Sequence, residues 1–381
     1  MNNIINKIIS KEEVNTGRQI EFDIVKTFSV LSMVLIHTWV YLSDNFIVEG
    51  SLSFIFVGVL CSLFGASLFM MCMGIGFDYT KNKDNPNFFI KRGIKMFILA
   101  YVLNIIRSFV FVFITEPILT GSIQMNTLLY CWFNVDIMQF AGLALIVFGV
   151  FKKLKIKPWN MFLIALGIAV LAKFVPMFST GNGLLDLLLG TIFPDAYLDT
   201  GEIYSYFPLM NYLLFPMFGY AYGIFYKRIK NKNLYYAIVV PVTGIIVILF
   251  TYLATVNQWS FVTSELEYYH MSFYYSLICT VAGIFIIGLD YYLSLILPKS
   301  IFPLFTRLSA NINKIYCIHW VILYSLYGIL MLYLPTSDKI STSLSLSEGT
   351  ALAIGIAIYV VSAICARIYS DYKNKKLAIK G

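Results

Sequence analysis

Ten long apolar runs dominate this sequence. Their limits are residues 24–43, 53–77, 94–115, 127–150, 159–178, 206–226, 234–256, 271–297, 311–334 and 349–370. Each run supplies about the 20 apolar residues that a helix needs to cross the hydrocarbon core of a bilayer. The chain is 59% hydrophobic and only 13% charged, and a water-soluble fold cannot cover so much apolar surface. We therefore predict an all-α, polytopic membrane protein with about ten transmembrane helices in one bundle.

Most of the lysine and arginine residues lie in alternate loops. If both termini are cytoplasmic, the termini, every second loop and the adjoining span ends hold 25 of the 28 Lys and Arg residues. Cytoplasmic loops carry such an excess, so we predict a multi-pass protein of the cell membrane with both termini in the cytoplasm. Its predicted parts are a cytoplasmic segment at 1–23, a membrane domain at 24–370 and a basic tail at 371–381. The net charge of +8 then needs no nucleic-acid partner. The longest external loop, 179–205, is acidic and either caps a site or is an ordinary loop.

Three chargeable side chains interrupt the apolar runs at similar predicted depth. His37 lies in the first run, Arg107 in the third and Asp136 in the fourth. Ionisable groups within a span are costly and are candidates for function. A carboxylate beside a histidine makes a general base, and an arginine can stabilise an oxyanion. We predict that these three residues are catalytic; the alternative is a structural Arg–Asp ion pair with a histidine in the core.

A second set of candidates lies nearer the predicted cytoplasmic side. Lys91, Arg92 and Lys95 begin the third span, where they could hold the phosphates of a nucleotide-containing donor, although any cytoplasmic loop carries such charges. His319, in NKIYCIHW, either lines a polar tunnel or is an ordinary core histidine. The chain has no Walker loop, dinucleotide fingerprint, zinc motif or Gly-x-Ser-x-Gly elbow. We therefore expect no metal and no permanently bound cofactor.

The opening of the chain resembles that of bacterial membrane acyltransferase family 3 proteins. In EFDIVKTFSVLSMVLIH, Asp23, Lys26 and His37 have the family's spacing of an acid, a basic residue and a catalytic histidine. The family more often has arginine at the position of Lys26, and a lysine keeps the charge but loses the bidentate fork. GASLFMMCMGIGF with FFIKRG is similar to the family's second span and the arginine that follows it. DIMQFAGLAL and YFPLMNYLLFPMFGYAYG resemble heparan-α-glucosaminide N-acetyltransferase-like proteins, and NKIYCIHW resembles a late Tyr-x-x-His segment of both groups.

This resemblance implies acyl transfer across a membrane. Such enzymes take an acyl group, usually acetyl, from cytoplasmic acyl-CoA and place it on a hydroxyl or amine of an extracytoplasmic glycan or lipid-linked acceptor. O-acetylation of a polysaccharide is one example. The resemblance makes His37 the base, and Lys26, Lys91, Arg92, Lys95 and His319 are the predicted substrate-binding residues. A donor that enters from the cytoplasm would reach His37 through an internal tunnel. Direct transfer and an acyl-histidine both remain open, as does a homodimer.

Two other functions compete with acyl transfer. Buried His, Arg and Asp residues also suit a proton-coupled transporter or flippase of a small molecule or lipid, although no two-fold repeat is visible. A non-catalytic membrane sensor with the same fold is the third reading. Release of CoA from acetyl-CoA in a reaction that depends on His37 would separate the enzyme from both alternatives.

Overall fold

The computed structural model describes residues 2–43, 65–175, 180–194, 205–257, 270–334, 344 and 346–378. Within these ranges the chain is helical, and its β contacts are isolated bridges rather than strands. The all-α fold predicted from the apolar runs is therefore confirmed. Residues 53–64 of the second run, and residues 179 and 195–204 of the acidic loop 179–205, lie outside the described residues.

The helices are numbered here in chain order. They are α1 Asn2–Ile8, α2 Ile20–Leu42, α3 Ala66–Asp78, α4 Pro86–Val110, α5 Glu116–Thr120, α6 Met125–Phe133, α7 Ile137–Lys153, α8 Pro158–Ala172, α9 Gly183–Leu189, α10 Leu209–Tyr212, α11 Leu214–Tyr226, α12 Lys232–Val256, α13 Phe273–Ile296, α14 Phe302–Ala310, α15 Ile312–Met331 and α16 Glu348–Ala378. Helix α4 runs into α5 through a π-helical turn at Phe111–Thr115.

Six of the described helices are long and apolar enough to cross a membrane. They are α2, α4 with its continuation to Thr120, α12, α13, α15 and α16. Each has at least 20 residues, which at about 1.5 Å per residue reaches across roughly 30 Å of hydrocarbon. The chain is thus a multi-pass membrane protein by its helices, but the predicted count of about ten spans is not confirmed.

The four remaining runs form shorter or interrupted helices. The run 127–150 is divided between α6 and α7, because residues 134–136 leave the helix and Asp136 caps α7. The run 206–226 is divided between α10 and α11. Pro216 has no N–H to donate to the carbonyl of Tyr212, so the helix breaks at Leu213. Hydropathy averages over such breaks, and the sequence therefore shows continuous runs.

The chain folds into two compact units that draw on distant segments. The first unit contains residues 1–22, 67–101 and 133–296, and the second contains residues 23–66, 102–132 and 297–381. Helices α2 and α4 contribute to both. The limits at 23 and 370 that the sequence suggests for the membrane domain stay a prediction.

The N-terminal segment is part of the first unit. Ile9 forms an antiparallel bridge with Ile229, and the backbone N–H of Lys230 donates to the carbonyl of Ile8. At the start of α2, the buried carboxylate of Glu21 accepts a hydrogen bond from Lys232 at 2.6 Å and another from the Tyr226 hydroxyl. The segment predicted as a cytoplasmic extension is thus fixed to the loop between α11 and α12.

Helices α3 and α11 pack backbone to backbone in the first unit. A Cβ atom on Gly74 would overlap the carbonyl oxygen of Pro216, and one on Gly219 would overlap that of Met71. Glycine is therefore required at both crossing points, since any side chain would force the helices apart. Gly76, two residues along α3, has open space around its Cβ position.

We expect Gly74→Ala to destabilise the protein and Gly76→Ala to leave it as stable as the wild type. Overpacking of a closed contact costs about 1–3 kcal/mol, which lowers the apparent melting temperature of the detergent-purified protein by a few degrees. Both variants add the same methyl group to the same helix. Equal melting temperatures for the two would contradict the close crossing of α3 and α11.

Candidate functional site

Two histidines from distant parts of the sequence meet inside the second unit. His37 lies near the end of α2, and His319 lies near the start of α15. His37 Nδ1 and His319 Nε2 are 3.2 Å apart, and the rings are nearly parallel with centroids 5.5 Å apart. His319 is completely buried and His37 is half-buried. The sequence suggests different depths for these residues, but their rings form a hydrogen-bonded pair.

The surroundings of His319 favour one arrangement of the protons on the two histidines. The backbone carbonyls of Ile315 and Tyr316 interact with its imidazole, although neither completes a hydrogen bond to the buried Nδ1. A carbonyl only accepts, so a proton on His319 Nδ1 is favoured and Nε2 is left to accept from His37 Nδ1–H. His37 Nε2 then keeps its lone pair. This tautomer is assigned from the neighbouring groups.

Trp320 joins the histidine pair to Arg107. Its indole stacks on the His37 ring with centroids 4.3 Å apart and the planes inclined by 29°. The guanidinium carbon of Arg107, at the end of α4, lies 4.4 Å from the centroid of the Trp320 ring. Arg107 is 6% exposed, so this cation–π contact is largely shielded from solvent and correspondingly strong. His37 and Arg107, two of the three predicted catalytic residues, therefore lie in one cluster.

An aromatic column continues from Trp320 along α15. Tyr324 and Tyr327 follow at helical spacing on the same face, and Tyr41 of α2 packs its ring 5.4 Å and 5.2 Å from theirs. The π-helical turn of α4 contacts this column, because Phe111 stacks on Tyr327 with centroids 5.7 Å apart. These ring contacts hold α2, α4 and α15 together around the histidines.

Asp136 belongs to the first unit and has a local role. Its carboxylate accepts a hydrogen bond from the backbone N–H of Ile137 at 2.7 Å, and with Gln139 it forms a capping box at the start of α7. Such a cap stabilises a helix by about 1 kcal/mol. His319 is a hydrogen-bond partner of His37, and the predicted pairing of His37 with Asp136 stays a prediction.

The predicted substrate-binding lysines and arginine lie on helix surfaces. Lys91, Arg92 and Lys95 are exposed on the first half of α4, in the first unit. Between them, Gly93 packs closely against Gly142 of α7. Lys26 is half-buried on α2, in the second unit. Their exposure suits an ionic contact with a ligand from solution, but leaves them open to screening.

The first unit contains a basic groove that the sequence alone does not predict. It encloses about 540 Å³ and is lined by Lys152, Lys153, Lys155, Lys157, Asp84, Pro86, Ile156, Pro158 and Tyr220. Four lysines against one carboxylate favour an anionic occupant, and helices α4 and α8 begin at its wall with Pro86 and Pro158. In the sequence these lysines indicate only membrane orientation, because periodicity does not show that their loop adjoins the start of α4.

Metal chemistry has no visible centre in the part of the chain that the structure describes. Within those residues, no group of three His, Cys, Asp or Glu side chains is placed to hold a metal ion. The residues gathered in the second unit suit an imidazole base beside an arginine, which can accept a proton and stabilise negative charge.

Comparison with known proteins places this site in a family. No curated protein and no solved structure matches the chain. A family model described as an acyltransferase domain matches residues 19–368, a range that contains His37, Arg107, His319 and Trp320. Because the match covers nearly the whole chain, the protein belongs to acyltransferase family 3.

Proposed function

We propose that this protein is an integral membrane acyltransferase with His37 as its general base. It moves an acyl group, acetyl in the simplest case, from cytoplasmic acyl-CoA to a hydroxyl or amine of an extracytoplasmic glycan or lipid-linked acceptor. The observation that carries the proposal is the 3.2 Å contact of His37 Nδ1 with His319 Nε2, in a chain of acyltransferase family 3. In the tautomer proposed for this pair, the lone pair of His37 is on Nε2, where it can accept a proton.

The reaction follows from that tautomer. His37 Nε2 takes the proton of the acceptor hydroxyl or amine while its oxygen or nitrogen attacks the thioester carbonyl carbon. His319 Nε2 accepts from His37 Nδ1–H and stabilises the imidazolium that forms. Arg107 favours negative charge on the carbonyl oxygen. When the carbon–sulfur bond breaks, the CoA sulfur leaves with the proton from His37. An acyl-imidazole route would begin from the same nitrogen.

The basic groove is the donor-side candidate. Acyl-CoA carries several phosphate charges, and lysines bind phosphates as point charges. Lys152, Lys153, Lys155 and Lys157 surround a cavity of about 540 Å³, whereas Lys91, Arg92 and Lys95 lie on an exposed helix surface. We assign the donor phosphates to both basic sets, with the groove as the site that encloses them.

The proposed topology is ten spans with both termini in the cytoplasm. Contacts between loops of the first unit support it, because residues in contact lie on the same side of the membrane. Lys227 pairs with Asp78 at 2.6 Å and with Glu13 at 3.7 Å. Glu13 and Asp78 thus share a side, which supports a second crossing of the chain before Asp78 if α2 crosses between them. Lys152 and Asp84, 3.8 Å apart, require in the same way that α4 be followed by a second crossing.

His37→Ala should abolish acyl transfer while the protein stays folded and binds acetyl-CoA. Without the imidazole no group takes the acceptor's proton, and loss of a general base costs typically 10²–10⁴-fold in rate. The measurement is release of CoA from radiolabelled acetyl-CoA by the purified protein, with acetyl-CoA binding measured on the same sample. Acidification should also stop the wild-type enzyme, since a protonated imidazole has no lone pair.

His270→Ala is the matched control. His270 lies in the first unit, where its Nε2 is 2.9 Å from the carbonyl oxygen of Ser205, so this variant loses an imidazole outside the second unit. It should turn over like the wild type. Wild-type turnover in His37→Ala would reject His37 as the base.

Charge reversal should show whether each basic set binds the donor. Lys153→Glu in the groove and Arg92→Glu on α4 should each raise the KM for acetyl-CoA by about tenfold, or about 1.4 kcal/mol of binding free energy. Higher salt should weaken donor binding further. Lys375→Glu, an equally exposed reversal near the end of α16, should leave the KM unchanged. An unaltered KM in both test variants would mean that these charges serve only to orient the chain.

Reporter fusions test the topology. A reporter after Lys157 or after Lys380 should score as cytoplasmic, because the positive charges there resist translocation. One inserted near Asp195 should score as external. A cytoplasmic result at Asp195 would overturn the ten-span arrangement and, with it, transfer across the membrane.

A further inference from the structure

The indole N–H of Trp320 is a buried donor beside the histidine pair. Trp320 is only 5% exposed, and its Nε1 has no hydrogen-bond acceptor in the described part of the chain. The nitrogen of an indole can only donate. Leaving a buried donor without a partner costs about 1–3 kcal/mol, so such groups are rare and call for an explanation.

Two other tryptophans of the second unit share this property, and their positions set Trp320 apart. The Nε1 atoms of Trp39 and Trp132 are also buried without an acceptor among the described residues. Of the three, Trp320 is the one whose ring stacks on His37, at 4.3 Å between centroids, and lies under Arg107, at 4.4 Å. An oxygen that accepts from Trp320 is therefore held next to the proposed base and within the field of a cation.

We propose that the Trp320 indole N–H donates a hydrogen bond to the acyl carbonyl oxygen of the donor and holds it as that oxygen becomes negative. The inference rests on the proposed acyl transfer by His37. In the tetrahedral intermediate, the oxyanion and the attacking atom are bonded to the same carbon. A donor beside His37 can thus bind the oxyanion while His37 Nε2 takes the proton from the attacking atom.

Arg107 strengthens this donor without needing to touch the oxygen. A guanidinium on the face of an indole draws electron density from the ring, which makes the N–H more acidic and a better hydrogen-bond donor. The same positive charge favours the oxyanion over the neutral carbonyl. The stack of His37, Trp320 and Arg107 thus places a base, a hydrogen-bond donor and a cation around one reacting carbon.

The first test is Trp320→Phe, which keeps an aromatic ring on His37 and removes the N–H. The readout is hydrolysis of acetyl-CoA, in which water replaces the unidentified acceptor but passes through the same kind of oxyanion. Removal of one oxyanion donor typically lowers kcat by 10²–10³-fold. We expect about 10²-fold, because Arg107 remains, with the Kd for CoA unchanged. Trp39→Phe, which removes an equally buried N–H from α2, should keep wild-type kcat.

The second measurement needs no turnover. The chain has five tryptophans, whose indole ¹⁵N–¹H signals can be assigned in the full-length protein by single Trp→Phe variants. A ketone analogue of acetyl-CoA that cannot be cleaved should shift the Trp320 N–H signal downfield and leave that of Trp39 in place. No shift at Trp320, or wild-type kcat in Trp320→Phe, would overturn this inference while His37→Ala remained inactive. Turnover in His37→Ala would instead overturn the proposed function.

Discussion

A hydrogen bond between two imidazoles is the interaction on which the chemistry of the second unit depends. A single buried neutral histidine would leave its N–H donor and its acceptor nitrogen unsatisfied. Burial of a charged histidine would cost far more free energy. Paired at 3.2 Å, His37 and His319 satisfy one nitrogen each without bringing a charge into the apolar interior. The proposed tautomer also gives the pair a direction, because the carbonyls near His319 favour a proton on its Nδ1. In that tautomer the lone pair of His37 lies on Nε2.

Packing keeps that hydrogen bond in place. Thr115 of the π-helical turn donates to the carbonyl of Gly328 at 2.9 Å, and a Cβ on Gly328 would come within 2.8 Å of the Thr115 hydroxyl oxygen. The close approach of α15 to α4 thus needs glycine at that point. A π-helical turn adds a residue to one turn of a helix and is often found at functional sites. Here it lies one turn beyond Arg107 and fixes the end of α4 against the column of rings that begins at Trp320.

The sequence reveals the components of this site better than their partners. His37 and Arg107 are conspicuous because each is a polar residue within an apolar run, and a hydropathy pattern registers that directly. The pairing of His37 with His319 joins residues far apart in the chain, and no local pattern encodes such a contact. Asp136 shows how one residue type can carry two signals. Its carboxylate is a charge inside an apolar run, and Asp-x-x-Gln at Asp136–Gln139 is also a capping signal, which the structure uses at the start of α7.

The interrupted runs can still cross a membrane, and one contact of the first unit bears on this directly. Val135, at the break before α7, forms a bridge with Ser205, and the N–H of Tyr206 donates to the carbonyl of Val135. Residues 135 and 205 therefore share a side. Lys152, at the other end of α7, shares a side with Asp84. If α7 spans the bilayer, with 17 residues that reach about 25 Å, the chain must cross again between Lys157 and Ser205.

In the sequence, the predicted run between these two residues is 159–178. Its described helix has only 15 residues. Because Lys227 lies on the side of Asp78, the run 206–226 must then return through its break at Leu213. The shorter helices are in this way tied to the long ones by contacts, and for this reason we propose ten spans although six of the described helices are long enough to cross by themselves.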